Sequence, residues 1–194
     1  NWYFTRNGLS NAIDTIINHT EALALPRLLQ SDKKILHTSS DGSRWIVNRE
    51  NIYSKHAMRY FGLNKGININ NNIDERHIPY YSRVISTSER EAASVLDGLL
   101  HNDNVRSDIH STDTHGYTEA LFGLMSMLGF KFAPRIKSLK NQRLYSFKQI
   151  REHKKDREIV LPHRKLNIGL VKSNFDEVLR IVATIGSKHT EASQ

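Results

Sequence analysis

The sequence predicts a mixed α/β sheet with helices packed against it. Three observations carry this. Runs from Lys34 to Ser40, Ile78 to Ser86, Val105 to Thr112 and Phe130 to Ile136 are short and rich in β-formers, and they read as strands. Apolar residues at helical spacing lie between and after them. Asp41-Gly42 is a strong hairpin-turn signal, and the stretch from Arg44 to Val47 reads as its return strand. A hairpin followed by alternating strands and helices is the pattern of a mixed sheet.

Taken in order, the chain from Asn1 to Leu29 reads as helical, with Leu9, Ile13, Ile16 and Ile17 at helical spacing and Pro26 opening a further turn. It carries no evident chemistry and reads as a packing element. In the first strand, Ile35, His37, Ser39 and Asp41 share one face by the two-residue period. The segment from Gly66 to Asp74, GININNNID, reads either as an alternating strand or as a polar loop. Ser88 and Glu91 form a capping box that opens a helix, with Ala92, Val95, Leu96, Leu99 and Leu100 as its apolar face. The acids of that helix, Glu91 and Asp97, are expected to be solvated or capping, as is Glu89 before it.

The next strand ends at Asp113, with Ile109, Ser111 and Asp113 on one face. The helix that follows carries Leu121, Leu124, Met125 and Leu128 and stops at Gly129. After a long basic stretch, Phe175 to Ile185 reads as a short amphipathic helix, and Ser187 to Gln194 resembles a helix start. The expected organisation is a helical flank over 1–33, a sheet core over 34–136, and a basic segment with the start of a further domain over 137–194.

Composition narrows the function. There is no Cys among the 194 residues, so disulfides, thiolate zinc sites and cysteine nucleophiles are excluded. No apolar run approaches the roughly 20 residues that span a bilayer, and no signal peptide is visible. The chain starts abruptly at Asn1-Trp2-Tyr3, which reads as a piece of something longer. The net charge is +8, and Lys131 to Lys172 holds 13 Lys or Arg against Glu152, Asp156 and Glu158. That segment is therefore +10 and the remainder close to neutral. Charge localised in this way favours a polyanion-binding surface over general solubility. Arg135, Lys137, Lys140 and Arg143 follow the last core strand and are the expected DNA phosphate contacts.

Two carboxylates stand where metal-dependent chemistry is commonly placed. Asp41 closes one strand and Asp113 another, just before a helix. Hard cations such as Mg²⁺ take carboxylate oxygens and keep waters for the substrate. Paired ions about 3.5–4 Å apart serve both the attacking and the leaving oxygen of phosphoryl transfer. Taken alone, Asp41 reads first as a turn residue, a role compatible with that of a carboxylate at a strand end. Other constellations are weaker. His101, His110 and His115 beside Asp113 lack the i, i+4 spacing of a helical zinc pair. Ser40 and Ser111 lie in no nucleophile elbow.

Four segments, HTSSDGSRW (37–45), TSEREAASVLDGLL (87–100), HSTDTHGYTEALFGL (110–124) and GFKFAPRIKSLKNQRLY (129–145), together strongly resemble the transposases of the Tn-three family. WYF near the start and Asn18-His19 fit as well, so the resemblance runs along nearly the whole chain. It implies an RNase H-like sheet with flanking helices, plus part of an insertion at the C-terminal end. It implies Asp41 and Asp113 as the first and second acids of a DDE triad, holding Mg²⁺ or Mn²⁺ in a two-metal site. The implied partners are transposon terminal inverted repeats and target DNA, with self-association of the full-length protein, no membrane, and a bacterial cytoplasmic location on DNA. The family places the third acid, a Glu, on a later helix, beyond Gln194; Glu191 is too early and in the wrong motif. The chain is thus expected to be part of a catalytic domain, inactive alone. The alternative is a non-catalytic nucleic-acid-binding module that needs only the basic segment. A stand-alone RNase H-like nuclease is disfavoured by the absent acid.

Overall fold

The computed structural model describes residues 6–23, 28–30, 35–87, 89–102, 105–155 and 161–193. They fall into two compact units, one made of the chain to residue 135 with 185–194, the other of 136–184.

Helix α1 (Arg6–Ala22) opens the first unit. Its Ile17 is buried with Ile78, Tyr80 and Val105, so this flank is a packing element as its periodicity suggests. The turn of helix expected at Pro26 lies outside the described residues. Then come β1 (His37–Ile46), β2 (Lys55–His56), α2 (Met58–Phe61), β3 (Lys65–Asp74), β4 (Pro79–Ile85), α3 (Glu91–Leu100), β5 (Ile109–Thr112), α4 (Glu119–Met127) and β6 (Lys131–Phe132). The sheet order is β2-β3-β1-β5-β6, with β4 also paired to β3. β2, β3 and β4 make the antiparallel part with β1, while β5 runs parallel to β1 and β6 parallel to β5.

The hairpin expected at Asp41-Gly42 does not form. β1 runs straight through it, because β3 pairs with it from Thr38↔Asp74 to Ile46↔Gly66. A local turn preference yields to a continuous ladder of backbone hydrogen bonds. The return strand is β3 itself, so the alternating reading of GININNNID holds and the loop reading does not. β3 buries its polar face: Asn68, Asn70, Asn72 and Asp74 are all buried, while Ile67, Ile69 and Ile73 are half-buried. The partners are polar as well. Asn68 Nδ2 donates to Glu91 Oε1 at 2.7 Å, and Asn70 Nδ2 to Ser94 Oγ at 3.4 Å. At the end of β3, Asp74 Oδ1 accepts the backbone N–H groups of Arg76 and Ile78, which closes the turn into β4.

α3 and α4 lie together over an apolar cluster of Ala92, Val95, Leu96, Leu99, Leu121, Met125, Phe132 and Ile185. Ser88 lies outside the described residues, and Arg90 stands at the N-cap of α3. Glu91 and Asp97 are not solvated. They are 7% and 0% exposed, and both face partners from other elements. Arg83 Nη1 donates to Asp97 Oδ2 at 2.9 Å, and the Ala192 backbone N–H to Asp97 Oδ1 at 2.6 Å. Arg83 also pairs with Glu191 at 2.8 Å. These contacts hold residues 187–193 in turns and bends, so the helix start expected at Ser187 is not observed. Thr118 caps α4 by accepting the Leu121 N–H, and Gly129 follows the helix at φ +85°. β5 starts at Ile109 rather than Val105, and β6 keeps only Lys131 and Phe132 of the expected strand from Phe130 to Ile136.

In the second unit, β7 (Tyr145–Ser146) pairs in parallel with β8 (Arg164–Lys165), and α5 (Ile150–Lys155) lies between them in the chain. Helix α6 (Ile168–Gly186) begins earlier than Phe175 because Asn167 caps it, its Oδ1 accepting the Leu170 N–H. No helix among the described residues is long and apolar enough to cross a membrane.

Candidate active site

β1 and β5 build the site. Their parallel register runs His37↔Ile109, Thr38↔His110, Ser39↔Ser111, Ser40↔Thr112. One step further along each strand is Asp41 on β1 and Asp113 just past β5. Parallel pairing stops one residue before both aspartates. Asp41 is not a strand end, since β1 continues to Ile46 on its antiparallel side. By the two-residue period, one face carries His37, Ser39 and Asp41 from β1 with Ile109 and Ser111 from β5. His37 Nε2 and Ser111 Oγ share a hydrogen bond of 2.8 Å across that face.

Each acid is anchored on one oxygen. Asp41 is exposed, and its Oδ1 accepts the Gly42 N–H at 2.9 Å. Asp113 is half-buried, and its Oδ1 accepts the N–H groups of His115 and Gly116 at 2.9 and 3.0 Å. Thr112 Oγ1 donates to the Asp113 carbonyl at 2.7 Å. Both acids stand by glycines that a Cβ would not fit. At Gly116 a Cβ would meet Thr112 Oγ1 at 2.2 Å, and at Gly42 it would meet Glu91 Oε1 at 2.3 Å.

Behind this face the opposite side of the two strands is locked by His110. Its Nδ1 shares a hydrogen bond of 2.7 Å with Thr38 Oγ1, and its Nε2 one of 3.0 Å with Ser40 Oγ. Thr38 Oγ1 in turn bonds Ser107 Oγ. Burial, with a smaller contribution from the charge on His37, pushes the His110 imidazole down to about 3. The residue is therefore a neutral clamp between β1 and β5. It faces away from the aspartates and is no partner in a metal site with Asp113.

The expected basic contacts divide. The Arg135 backbone N–H donates to the Thr112 carbonyl at 2.8 Å, which places Arg135 beside the residue that precedes Asp113. Its side chain is exposed. Lys137, Lys140 and Arg143 belong to the second unit, are exposed, and lie on or around the 3₁₀ turn Leu139–Asn141. Among the described residues none of the four is in an ion pair, and no three His, Asp or Glu side chains gather closely enough to hold a metal ion. The sequence reading missed Glu91 behind the strand and the clamping role of His110. The signal for the second was present, since His110 and its partners Thr38 and Ser40 alternate out of phase with the aspartates.

A family model described as the Tn3 transposase DDE domain matches residues 1–194. The chain belongs to this family. Curated relatives agree: it is 32% identical over 193 residues to the transposase for transposon Tn1546 of Enterococcus faecium, covering 99% of this chain and 19% of the relative. It is 33% identical over 193 residues to the transposase for transposon Tn2501 of Escherichia coli, and 30% to that for Tn501 of Pseudomonas aeruginosa, with the same coverage. The chain thus spans about a fifth of the length of these relatives. No solved structure matches it. The Tn3-family assignment agrees with the mixed sheet described above, which is RNase H-like as the resemblance implied.

Proposed function

We propose that this DDE domain performs metal-dependent DNA strand cleavage and strand transfer at transposon ends, with Asp41 and Asp113 as two of the acids that hold the metal. The observation that supports this reading is the parallel register of β1 and β5, whose last pair, Ser40↔Thr112, comes one residue before Asp41 and Asp113. The donor set fits the ion. Two carboxylates, each with one oxygen anchored by backbone N–H groups, suit a hard divalent cation such as Mg²⁺ or Mn²⁺. When bound, such ions supply Lewis-acid stabilisation of the oxygens exchanged in phosphoryl transfer.

The chain's own residues do the rest. The backbone bonds to Asp41 and Asp113 hold one oxygen of each acid. The His37–Ser111 bond and the His110 clamp hold the two strands in register, one on each side of the sheet. Arg135, whose backbone N–H donates to the Thr112 carbonyl, and, in the second unit, Lys137, Lys140 and Arg143 are the phosphate contacts. The family's third acid, a Glu, completes the triad, and the two acids without it are expected to be inactive. The domain's partners are terminal-repeat and target DNA and a second transposase molecule, in the bacterial cytoplasm and without membrane attachment.

Thermal unfolding tests the metal site without relying on activity. At a metal concentration tenfold above Kd, binding to the native state alone adds about 1.4 kcal/mol of stability. Mn²⁺ at millimolar concentration is expected to raise the midpoint of the wild-type chain and to leave an Asp41→Asn/Asp113→Asn double variant unmoved. An equal rise in both would place the metal elsewhere.

A further inference from the structure

We infer that Glu91, on the helix behind the sheet, is a positioning residue for Asp41; the inference rests on the reading of Asp41 as a metal-holding acid. Glu91 is the first residue of α3 and is buried. Its carboxylate lies flat against β1 on the side away from Asp41. A Cβ at position 42 would fall 2.3 Å from Oε1, 2.5 Å from Cδ and 2.7 Å from Oε2, so the carboxyl group occupies the volume that glycine leaves free. Glu91 Oε1 also accepts from Asn68 Nδ2 at 2.7 Å and stands 3.7 Å from Arg44 Nη2. Arg44 and Asn68 are direct partners in the β1/β3 register. Arg44 is held in turn over the Tyr60 ring, 4.2 Å from its centroid.

Glu91 therefore meets the sheet at Gly42, Arg44 and Asn68, on the stretch of β1 and β3 that begins at the 41–42 peptide. That peptide's N–H is the group donating to Asp41 Oδ1. A shift of β1 at Gly42 is transmitted directly to the Asp41 carboxylate. A buried carboxylate is costly unless it is paired and hydrogen-bonded, and an apolar side chain would fill the same space more cheaply. The carboxylate instead supplies flat contact against a glycine and an acceptor that ties β1 to β3. Glu91 cannot reach substrate, since the strand lies between; its effect on chemistry passes through Asp41. Groups that orient metal-holding side chains typically change metal affinity or activity by about 10–100-fold when removed.

The test uses a transposase that carries this domain and compares Glu91→Ala, Glu91→Gln, Gly42→Ala and Leu96→Ala. Mn²⁺ affinity is read without DNA, from the electron paramagnetic resonance signal of the free ion, and kcat for end cleavage is measured separately. Glu91→Ala opens the space behind Gly42 and Gly42→Ala overfills it. Each is expected to weaken Mn²⁺ binding and lower kcat by about tenfold or more, with the affinity for end DNA unchanged. Glu91→Gln keeps the shape and the acceptor for Asn68 and is expected to stay near wild type. Leu96→Ala, on the same helix but in the apolar core, is expected to lower the melting temperature while Mn²⁺ affinity holds. Wild-type Mn²⁺ affinity and kcat in Glu91→Ala would overturn the inference, as would Leu96→Ala moving both as far. An Asp41→Asn arm separates the two levels. If it retains Mn²⁺ affinity and cleavage, the reading of Asp41 fails and this inference with it; if it loses both while Glu91→Ala does not, only the role of Glu91 is refuted.

Discussion

Asp113 follows Thr112, the parallel partner of Ser40, and Asp41 is the residue after Ser40. The two acids are distant in sequence, and the arrangement depends on β1 having antiparallel β3 on one side and parallel β5 on the other. β3 carries β1 past Asp41, while pairing with β5 stops one residue short of it. The opening between the strands begins where the carboxylates stand.

His110 holds that register, and its protonation is expected to undo it. The imidazole is pushed down to about 3 in the folded chain, chiefly by burial, against an ordinary value of 6.5. Between these values the unfolded chain takes up a proton that the folded chain refuses. Stability is therefore whole above about pH 6.5 and falls as the pH drops toward 3, with a slope of at most about 1.4 kcal/mol per pH unit from this residue. Urea unfolding at pH 7 and pH 4.5 checks it. His110→Gln, which keeps a donor and an acceptor, is expected to show a shallower loss; an identical loss in both proteins would relieve His110 of this role.

The Arg83–Asp97 pair is expected to dominate the stability of the α3–β4 contact. Asp97 has no exposed surface, and Arg83 bridges it to Glu191. Arg83→Ala leaves a buried carboxylate without its cation, a change that costs about 3–5 kcal/mol. For a chain of this size each kcal/mol lowers the melting temperature by about 2–4 °C. A calorimetric fall of one or two degrees would show that the pair contributes little.

The basic residues are tested together. Arg135, Lys137, Lys140 and Arg143 are exposed and, among the described residues, without ion-pair partners. If each neutralises one phosphate, replacing all four with Ala lowers the salt slope of log K by about 0.9 for each contact. Duplex binding measured between low and moderate salt is expected to weaken and to flatten. An unchanged affinity and slope would mark the four as ordinary solvated surface.

Much of the sheet was legible. The placement of Asp113 between a β-type run and a helix pattern gave correct elements, and GININNNID, open between strand and loop in the sequence, is a strand. What could not be read locally depended on partners far along the chain. Asp41-Gly42 is a turn by dipeptide preference and a strand by pairing, because β3 supplies hydrogen bonds along its length. The Asn residues of β3 are more deeply buried than its isoleucines, since α3 offers Glu91 and Ser94 to receive them. Glu91 and Asp97 looked solvated because a helical acid normally is. Their burial follows from Asn68, Arg44 and Arg83, which lie on other elements. The site was readable as two acids; its support on the far side of the sheet was not.

The central claim is that Asp41 and Asp113 are metal-holding acids of a DNA strand-transfer site. The measurement closest to it is strand transfer of terminal-repeat DNA in Mg²⁺ by a transposase carrying this domain, as wild type, Asp41→Asn and Asp113→Asn. Each substitution removes a carboxylate and almost no shape. The expected result is cleavage and joining at background in both variants, with binding to end DNA close to wild type. Near wild-type strand transfer by either variant would contradict the account for that residue.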